Sequence, residues 1–187
     1  MKQAIATLVS VSPYSQSKFH QTPQKSKELA KDYEERTWRE RMHVDEHGKI
    51  IIPPMSFANC IKQAAKYLNL QIPGKGKSTF TKNFEAGVMV VDPLVLPYKK
   101  NEVEGEWVLV PADGKRGGSV KVLKCFGIIP KWDGEVTFHI FDDMITEDVF
   151  RQVLDAAGML IGIGRFRPRN CGFYGRFKVK EIVWIEQ

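Results

Sequence analysis

The amino-acid sequence predicts an α+β fold in which an antiparallel sheet carries two helices on one face. Three observations lead to this prediction. Residues 4–11 and 177–185, near the two ends of the chain, alternate apolar and polar side chains as strands do. Residues 57–68 and 149–157 repeat apolar side chains at helical spacing. Shorter strand-like runs lie between these helices, so the order along the chain is strand, helix, strand, strand, helix, strand.

That order is typical of the ferredoxin-like, or RRM-type, arrangement. The chain of 187 residues is long enough for one domain with its own core, so we expect residues 1–187 to form a single domain. Its formal charge of +6 at pH 7 favours an anionic partner, and nucleic acid is the first such partner to consider.

The sequence predicts no cofactor and no metal held by cysteines. Cys60, Cys125 and Cys171 form no C-x-x-C pair, which argues against a disulfide framework and a zinc site. The chain has no apolar run of about 18 residues and no leader-like N-terminus. We therefore expect neither a membrane span nor secretion, and we place the protein in the cytoplasm.

The first strand is followed by an insertion. Residues 4–11 end at Ser12-Pro13, a strand-breaking pair. The expected apolar face of this strand consists of Ile5, Val9 and Val11. An insertion at about 21–48 contains residues 25–42, where charges of both signs at helical spacing predict a solvated inserted helix. The side chains expected beneath that helix are Leu29, Tyr33 and Trp38.

The first core helix begins after Pro53-Pro54, which stops the apolar run at 50–52. Ser56 is its expected cap. Its apolar stripe consists of Phe57, Ile61, Ala64, Ala65 and Leu68. The glycine- and lysine-rich residues at about 71–83 then predict a mobile basic loop that carries Lys75 and Lys77.

The second half of the chain is predicted to contain strands, one hairpin and the second core helix. The strand-like runs are 86–91, 94–96, 107–110, 120–129 and 135–141, with a loop at 113–119 that contains Lys115 and Arg116. Asp133-Gly134, between the last two runs, predicts a hairpin. Thr146 is the expected cap of the second core helix, whose first turn is acidic. Gly158 is expected to fray the end of that helix.

Residues 160–177, LIGIGRFRPRNCGFYGRF, concentrate glycine, cationic and aromatic side chains, and we call them the glycine–arginine loop. Glycines allow backbone conformations that other residues avoid, and those of the loop are Gly162, Gly164, Gly172 and Gly175. Asp155 and Glu181 are the nearest carboxylates, so we expect a positive field here. Rings and guanidinium groups together stack bases and neutralise phosphates. The loop is therefore the candidate nucleic-acid site.

The spacing of three arginines gives this site an expected geometry. Arg165, Arg167 and Arg169 are two residues apart, so on an extended chain they would face one way at intervals of about 7 Å. That interval is close to the phosphate repeat of an extended single strand, and we predict phosphate contacts with added stacking by the rings. The residues expected to bind single-stranded RNA are Arg165, Phe166, Arg167, Arg169, Tyr174, Arg176 and Lys178, together with Lys75 and Lys77 of the basic loop.

Two other interpretations of the glycine–arginine loop stay open. The arginines of a turn between a helix and a strand can simply face solvent, with Phe173, Phe177 and Val179 as core residues of the strand. Gly162-Ile163-Gly164 could instead cradle a pyrophosphate. A dinucleotide fingerprint follows a strand and opens a helix, whereas this segment follows a helical pattern and opens a strand.

Two motifs resemble the RAMP superfamily of CRISPR-associated RNA-binding proteins. They are IIIPPMSFANCIKQAAK, where a strand meets proline and opens a helix, and GIGRFRPRNCGFYGRF after the second core helix. The resemblance covers the order of elements over most of the chain, and its specific part is the second motif. Where the family carries Pro-Gly-Ser at the helix start, this chain has Pro53, Pro54 and Met55 before Ser56.

The resemblance implies a ferredoxin-like core with a glycine-rich loop that contacts RNA. The backbone subunits of CRISPR effector complexes are built in this way, so the implied role is antiviral defence as a non-catalytic RNA-binding protein. The implied partners are single-stranded RNA and other RAMP-type subunits, or copies of the same chain along the RNA. The short length also fits a stand-alone or virus-encoded relative.

An enzyme and a docking module are the alternatives. The superfamily includes metal-independent endoribonucleases in which a histidine acts as general base on a ribose 2′-hydroxyl, and His20, with Tyr14 and Lys18, is the candidate here. A loop histidine that faces water is the simpler interpretation, so the sequence favours a non-catalytic protein. A virus-encoded mimic that docks on a host CRISPR effector, or on another RNA-binding complex, would instead use the mixed-charge helix at 25–42.

The remaining histidines predict no further site. His43 and His47 with Asp45 and Glu46 could be drawn as metal ligands, but polar residues just before Gly48 are more typical of a turn. His139 lies in an alternating strand and is expected to be structural.

Overall fold

The structure is a computed structural model that describes residues 1–114 and 117–186, so Lys115 and Arg116 of the predicted loop lie outside the described residues. The strands are β1 (Lys2–Ser10), β2 (Tyr14–Ser15), β3 (Lys49–Ile52), β4 (Val88–Val90), β5 (Leu94–Lys99), β6 (Glu104–Pro111), β7 (Lys121–Ile129), β8 (Asp133–Ile140) and β9 (Phe177–Glu186). The α-helices are α1 (Ala30–Thr37), α2 (Pro54–Leu68), α3 (Thr81–Gly87) and α4 (Glu147–Ala156). Short 3₁₀ helices lie at Trp38–Arg41, Lys100–Glu102 and Pro168–Asn170, and a wider helical turn at Ala157–Ile161. None of the described helices is long and apolar enough to cross a membrane.

A four-stranded antiparallel sheet in the order β4-β8-β1-β9 forms the centre of the fold. β1 pairs with β8 on one side and with β9 on the other, so the two ends of the chain are neighbours in one sheet. The units β1-α2-β4 and β8-α4-β9 interleave, because the two strands of each unit are separated by one strand of the other. This is the split β-α-β arrangement of ferredoxin-like folds. The predicted fold class is confirmed.

Both core helices pack on the same face of this sheet through aromatic side chains. On α4, Phe150 contacts the rings of Phe138 on β8 and Trp184 on β9. On α2, Phe57 contacts the ring of Phe177 at the start of β9. The helices therefore cover one face and leave the other open.

The face of β1 that packs under the helices differs from the predicted one. Its buried side chains are Ala4, Ala6 and Leu8. Because successive side chains of a strand point to opposite faces, Ile5 and Val9 lie on the open face, and the predicted apolar face is wrong. Small alanine side chains leave room for the large rings of the helices, which close packing requires.

The two core helices begin differently. α2 starts at Pro54 after Pro53, and no side chain caps it, so the predicted cap at Ser56 is wrong. Proline fits a first helical turn because the missing N–H would have no partner there. α4 begins as predicted, since the Thr146 side chain accepts a hydrogen bond of 3.4 Å from the backbone N–H of Val149.

β7 and β8 do not form the predicted hairpin. β7 lies between β2 and β6 in a separate three-stranded sheet, whereas β8 lies between β1 and β4. Asp133 and Gly134 are inside β8, opposite the end of β1. A Cβ at Gly134 would lie 2.5 Å from the Leu94 side chain. This glycine therefore permits a close approach of β5 to β8 instead of a tight turn.

The segment between α2 and β4 is more regular than predicted. In the basic loop, the Ile72 N–H donates to the Ser78 carbonyl at 2.8 Å and the Phe80 N–H to the Leu70 carbonyl at 3.0 Å. The last residues of the predicted loop and the first of the predicted strand at 86–91 belong to α3. β4 is correspondingly short.

The inserted helix α1 packs on the three-stranded sheet. It is shorter than predicted, because residues 25–29 precede its first turn and Trp38–Arg41 continues it as a 3₁₀ helix. Trp38 is buried as expected, whereas Leu29 is 68% exposed. The residue that sequence reasoning missed is Glu34, whose side chain is 1% exposed.

The Glu34 carboxylate joins α1 to β7. It accepts hydrogen bonds from the Arg41 guanidinium, from Lys124 Nζ at 2.9 Å and from the backbone N–H of Cys125 at 2.9 Å. Burial raises the pKa of Glu34, but the hydrogen bonds from these donors outweigh burial and hold its pKa below the ordinary value. A buried charge requires such partners.

Replacing Glu34 with alanine is expected to lower the free energy of unfolding by about 3 to 5 kcal/mol, because Arg41 would be left without its anion in a largely buried place. Glu35→Ala is the matched control, since it removes an exposed acid from the same helix, and the expected change is about 0.5 kcal/mol or less. Urea denaturation of both variants measures the difference.

The pH dependence of stability distinguishes the effect of the Glu34 charge from the effect of the side chain's size and shape. Because the pKa of Glu34 is lower in the folded state, its contribution is present above an unfolded pKa of about 4.3 and is lost as the pH falls through the lower folded pKa. The stability gap between the parent and Glu34→Gln should therefore narrow below about pH 4. A gap that stays constant through this range would contradict the assignment.

Candidate nucleic-acid interface

The glycine–arginine loop joins α4 to β9 and is held by the chain around it. Gly158, in the turn after α4, is buried against β9, and a Cβ there would lie 2.1 Å from the first carbonyl oxygen of that strand. The predicted fraying at Gly158 is therefore wrong. The N–H of Arg165 donates to the Ser15 carbonyl at 2.7 Å, and the N–H of Gly175 to the Pro13 carbonyl at 2.7 Å. The segment after β1 thus positions the loop.

The loop doubles back on itself, and two of its glycines are required by close backbone contact. The Tyr174 N–H donates to the Phe166 carbonyl at 3.0 Å. A Cβ at Gly172 would lie 1.7 Å from the Phe166 oxygen, and one at Gly175 would lie 1.8 Å from the Ile163 oxygen. The glycines identified in the sequence therefore shape the loop.

The Arg165 side chain points into the protein under the rest of the loop, although the sequence predicts it at the RNA surface. Its side chain is 9% exposed. Its guanidinium carbon lies 3.7 Å from the centre of the Phe126 ring and 4.4 Å from that of Phe166. Its Nε donates to Ser15 Oγ at 3.1 Å, and its Nη2 approaches Glu106 Oε2 at 3.5 Å. Burial lowers the pKa of Arg165, and the Glu106 carboxylate opposes that effect. Arg165 therefore joins the loop to β2, β6 and β7.

The other two arginines of the series face outward. The expected even spacing is wrong, because Phe166 adopts a left-handed conformation, with φ of 48°, and Pro168–Asn170 forms a 3₁₀ helix. Arg169 is exposed and Arg167 is partly exposed. Within the part of the chain that the structure describes, neither guanidinium makes a hydrogen bond or an ion pair. Both are therefore available to a ligand.

The remaining predicted residues of this region differ in how exposed and how engaged their side chains are. The Arg176 side chain donates to the carbonyls of Met159 at 3.3 Å and Phe173 at 3.4 Å. Lys178 is exposed on β9, the edge strand of the central sheet. Phe177 is buried, whereas Phe173 is 60% exposed. Phe177 therefore belongs to the core, as one interpretation of the sequence expected, whereas Phe173 does not.

A cleft of about 390 Å³ separates the glycine–arginine loop from the start of α2, and we call it the α2 cleft. The residues that line it are His43, Pro53, Met55, Ser56, Asn59, Gly164, Arg167 and Asn170. It continues into a smaller cleft of about 270 Å³ beside Gln16 and Arg165. The first turn of α2 contains no acid, so the positive end of the helix dipole and Arg167 act together on this space.

Sequence reasoning missed His43 as a member of the α2 cleft. The carbonyl of His43 accepts a hydrogen bond of 3.0 Å from the N–H of Ile51, and this pairing brings it beside the start of α2. Burial, with a smaller contribution from Lys18, lowers the pKa of His43, so it is neutral at pH 7. Asp45 Oδ1 accepts from the N–H groups of His47 and Lys49, which is the turn that the sequence predicts.

Three other predicted residues lie away from the loop. His20 stacks on Tyr33 at 6.3 Å in the inserted region. Lys75 and Lys77 follow the C-terminal end of α2, whereas the α2 cleft lies at its N-terminal end. A helix of 15 residues is about 22 Å long. The structure therefore does not bring these lysines together with the loop.

No protein-family model matches the sequence, and no curated protein matches it. Several solved structures are similar to this chain in fold. A chain in the cryo-EM structure of the type III-B Cmr-beta bound to cognate target RNA is similar, with a TM-score of 0.52 and 13% identity, over 99% of this chain and 61% of that chain. Cmr6 from Pyrococcus furiosus is similar with a TM-score of 0.50 and 12% identity, over 96% of this chain and 99% of that one. The chain has the fold of these RAMP-type CRISPR subunits, and the resemblance is confirmed at the level of fold.

Replacing Arg165 with alanine is expected to lower the free energy of unfolding by about 2 to 4 kcal/mol, because it removes three ring contacts and the donors to Ser15 and Glu106. Arg167→Ala is the control, and the expected change is about 0.5 kcal/mol or less. Urea denaturation compares the two variants. Equal losses would contradict the interior position of Arg165.

Proposed function

We propose that the chain is a non-catalytic RNA-binding protein of RAMP type, which holds single-stranded RNA between the glycine–arginine loop and the start of α2. One observation carries the proposal. The Arg167 guanidinium, which has no hydrogen-bond partner among the described residues, lies in a cleft with the positive end of a helix of 15 residues. Among the described residues, those that line this cleft include no carboxylate.

The α2 cleft suits a phosphate of the RNA backbone. The positive end of the α2 dipole attracts anions. Pro54 has no N–H and the Ser56 N–H donates to the Pro53 carbonyl at 2.9 Å, so side chains supply the hydrogen-bond donors. The side chains of Ser56, Asn59 and Asn170 line the same space and can donate hydrogen bonds to phosphate oxygens. Arg169 extends the positive surface beyond the cleft. Arg165 takes a positioning role, since it is engaged beneath the loop.

The other predicted RNA-binding residues extend this site. Phe166 is 47% exposed and can stack a base. Lys178 continues the positive surface along β9. Lys75 and Lys77 would meet an RNA that runs the length of α2. Tyr174 is half-buried beside these groups and supports the wall of the loop.

The comparisons support this proposal through the fold. Cmr-beta was solved bound to cognate target RNA. By analogy, we infer that other RAMP-type subunits, or copies of this chain, are partners along the RNA. Because a fold hosts many functions, the proposal depends on the α2 cleft and its arginines.

Arg167→Ala and Arg169→Ala are each expected to reduce the slope of log K against log salt by about 0.7, because each removes one phosphate contact to a single strand. In the double variant the slope should fall by about 1.4, and the variant should bind all sequences more weakly. Fluorescence anisotropy with a labelled RNA of roughly 15 nucleotides, between about 50 and 200 mM salt, measures both quantities.

Arg151→Ala on α4 is the control, since it removes a half-exposed arginine that pairs with Glu147 on the same helix. Its slope should equal that of the parent. A folded double variant with the affinity and slope of the parent would show that the loop is not the site. A stoichiometric protein partner that co-purifies without nucleic acid would then support the docking module.

A further inference from the structure

A second cleft lies on the other side of the glycine–arginine loop, between the loop and β6, and we call it the β6 cleft. Its volume is about 430 Å³. The side chains that define it are Glu106, Val108, Phe166, Asn170, Phe173 and Tyr174. Asn170 also lines the α2 cleft. A strand whose phosphate lies in the α2 cleft can therefore place a base in the β6 cleft.

Two phenylalanine rings give the β6 cleft a surface for stacking. Phe166 is 47% exposed and Phe173 is 60% exposed. The Arg165 guanidinium lies 4.4 Å from the centre of the Phe166 ring, and the Phe173 ring packs edge-on against Tyr174 at 5.7 Å. Exposed rings that their neighbours hold in place are the platforms on which unpaired bases stack.

Glu106 is the charged group of this cleft, and its position is fixed. Its Oε2 accepts a hydrogen bond of 2.7 Å from the Tyr174 hydroxyl and is 3.5 Å from Arg165 Nη2. Burial and the bond to Glu106 raise the pKa of Tyr174 to about 12, so this hydroxyl remains a donor. Among the described residues, none donates to Glu106 Oε1, and the side chain is 40% exposed.

The chemistry of the β6 cleft differs from that of the α2 cleft. A carboxylate repels a phosphate and accepts hydrogen bonds from N–H groups. The amino groups of bases are such donors, and cytosine N4 pairs with carboxylates in this way. Uracil presents a carbonyl oxygen at the equivalent position. The rings and the carboxylate together therefore match the face and the amino edge of a base.

We propose that the β6 cleft binds one unpaired base of the RNA and prefers a base with an amino group over uracil. The amino group donates to Glu106 Oε1, and the face of the base stacks on Phe166 or Phe173. This inference rests on the proposed function, because the α2 cleft positions the strand that delivers the base.

Oligo(C) and oligo(U) of equal length test the preference, because their bases are of similar size and differ at the amino position. The parent is expected to bind oligo(C) about tenfold more tightly at neutral pH, within the range of one hydrogen bond to a charged group. Glu106→Gln should reduce the ratio to about twofold or less, because an amide can also donate to the uracil oxygen. Phe173→Ala should weaken both oligomers about fivefold or more at every salt concentration.

The outcomes separate this inference from the proposed function. Equal affinity of the parent for the two oligomers, with the Arg167→Ala slope change intact, would overturn the base preference alone. Binding of neither oligomer would overturn both. If Glu106→Gln does not fold, the ratio of the parent's affinities for oligo(C) and oligo(U) still tests the base preference. The loss of affinity in Phe173→Ala then tests the stacking.

Discussion

The stack of Phe126, the Arg165 guanidinium and Phe166 is the interaction on which the candidate site depends. It joins a loop that follows α4 to β7 of the three-stranded sheet. A buried guanidinium needs acceptors as well as ring faces. Ser15 Oγ accepts from Arg165 Nε and Glu106 Oε2 from its Nη2, whereas the buried Nη1 has no acceptor among the described residues. With Arg165 held in this way, Arg167 lines the cleft on the α2 side and Phe173 lines the cleft on the β6 side.

The inserted helix α1 and the three-stranded sheet therefore belong to the architecture of the site. Glu34 ties α1 to β7 through Arg41, Lys124 and the Cys125 backbone. The neighbouring residue of β7 is Phe126, on which Arg165 packs. Glu34 thus supports the loop indirectly, because it fixes β7, and β7 carries the ring on which Arg165 packs.

The centre of the fold was predictable from sequence because its elements carry strong local periodicity. β1, α2, α4 and β9 alternate or repeat their apolar side chains, and all four are observed near the expected positions. The Asp133-Gly134 hairpin failed because the glycine that favours a turn also permits the close approach of Leu94. A local pattern does not distinguish these two uses.

Side-chain burial in the site was less predictable because it depends on distant partners. Arg165 and Arg167 belong to one sequence pattern, yet only Arg165 meets Phe126 and Glu106 from other elements. Glu34 is one acid of a mixed-charge helix, and its partner Lys124 is 90 residues away. The sequence identified the loop but not which of its charges face solvent.

Ultraviolet cross-linking of the intact protein to single-stranded RNA, followed by mass spectrometry of its tryptic peptides, tests most directly whether the glycine–arginine loop holds the RNA. RNA bound there should leave nucleotide adducts on residues 166–169 and 170–176, which contain the exposed Phe166, Arg169 and Phe173. Adducts confined to the open face of the central sheet, on peptides from β1 and β8, would contradict this position of the RNA.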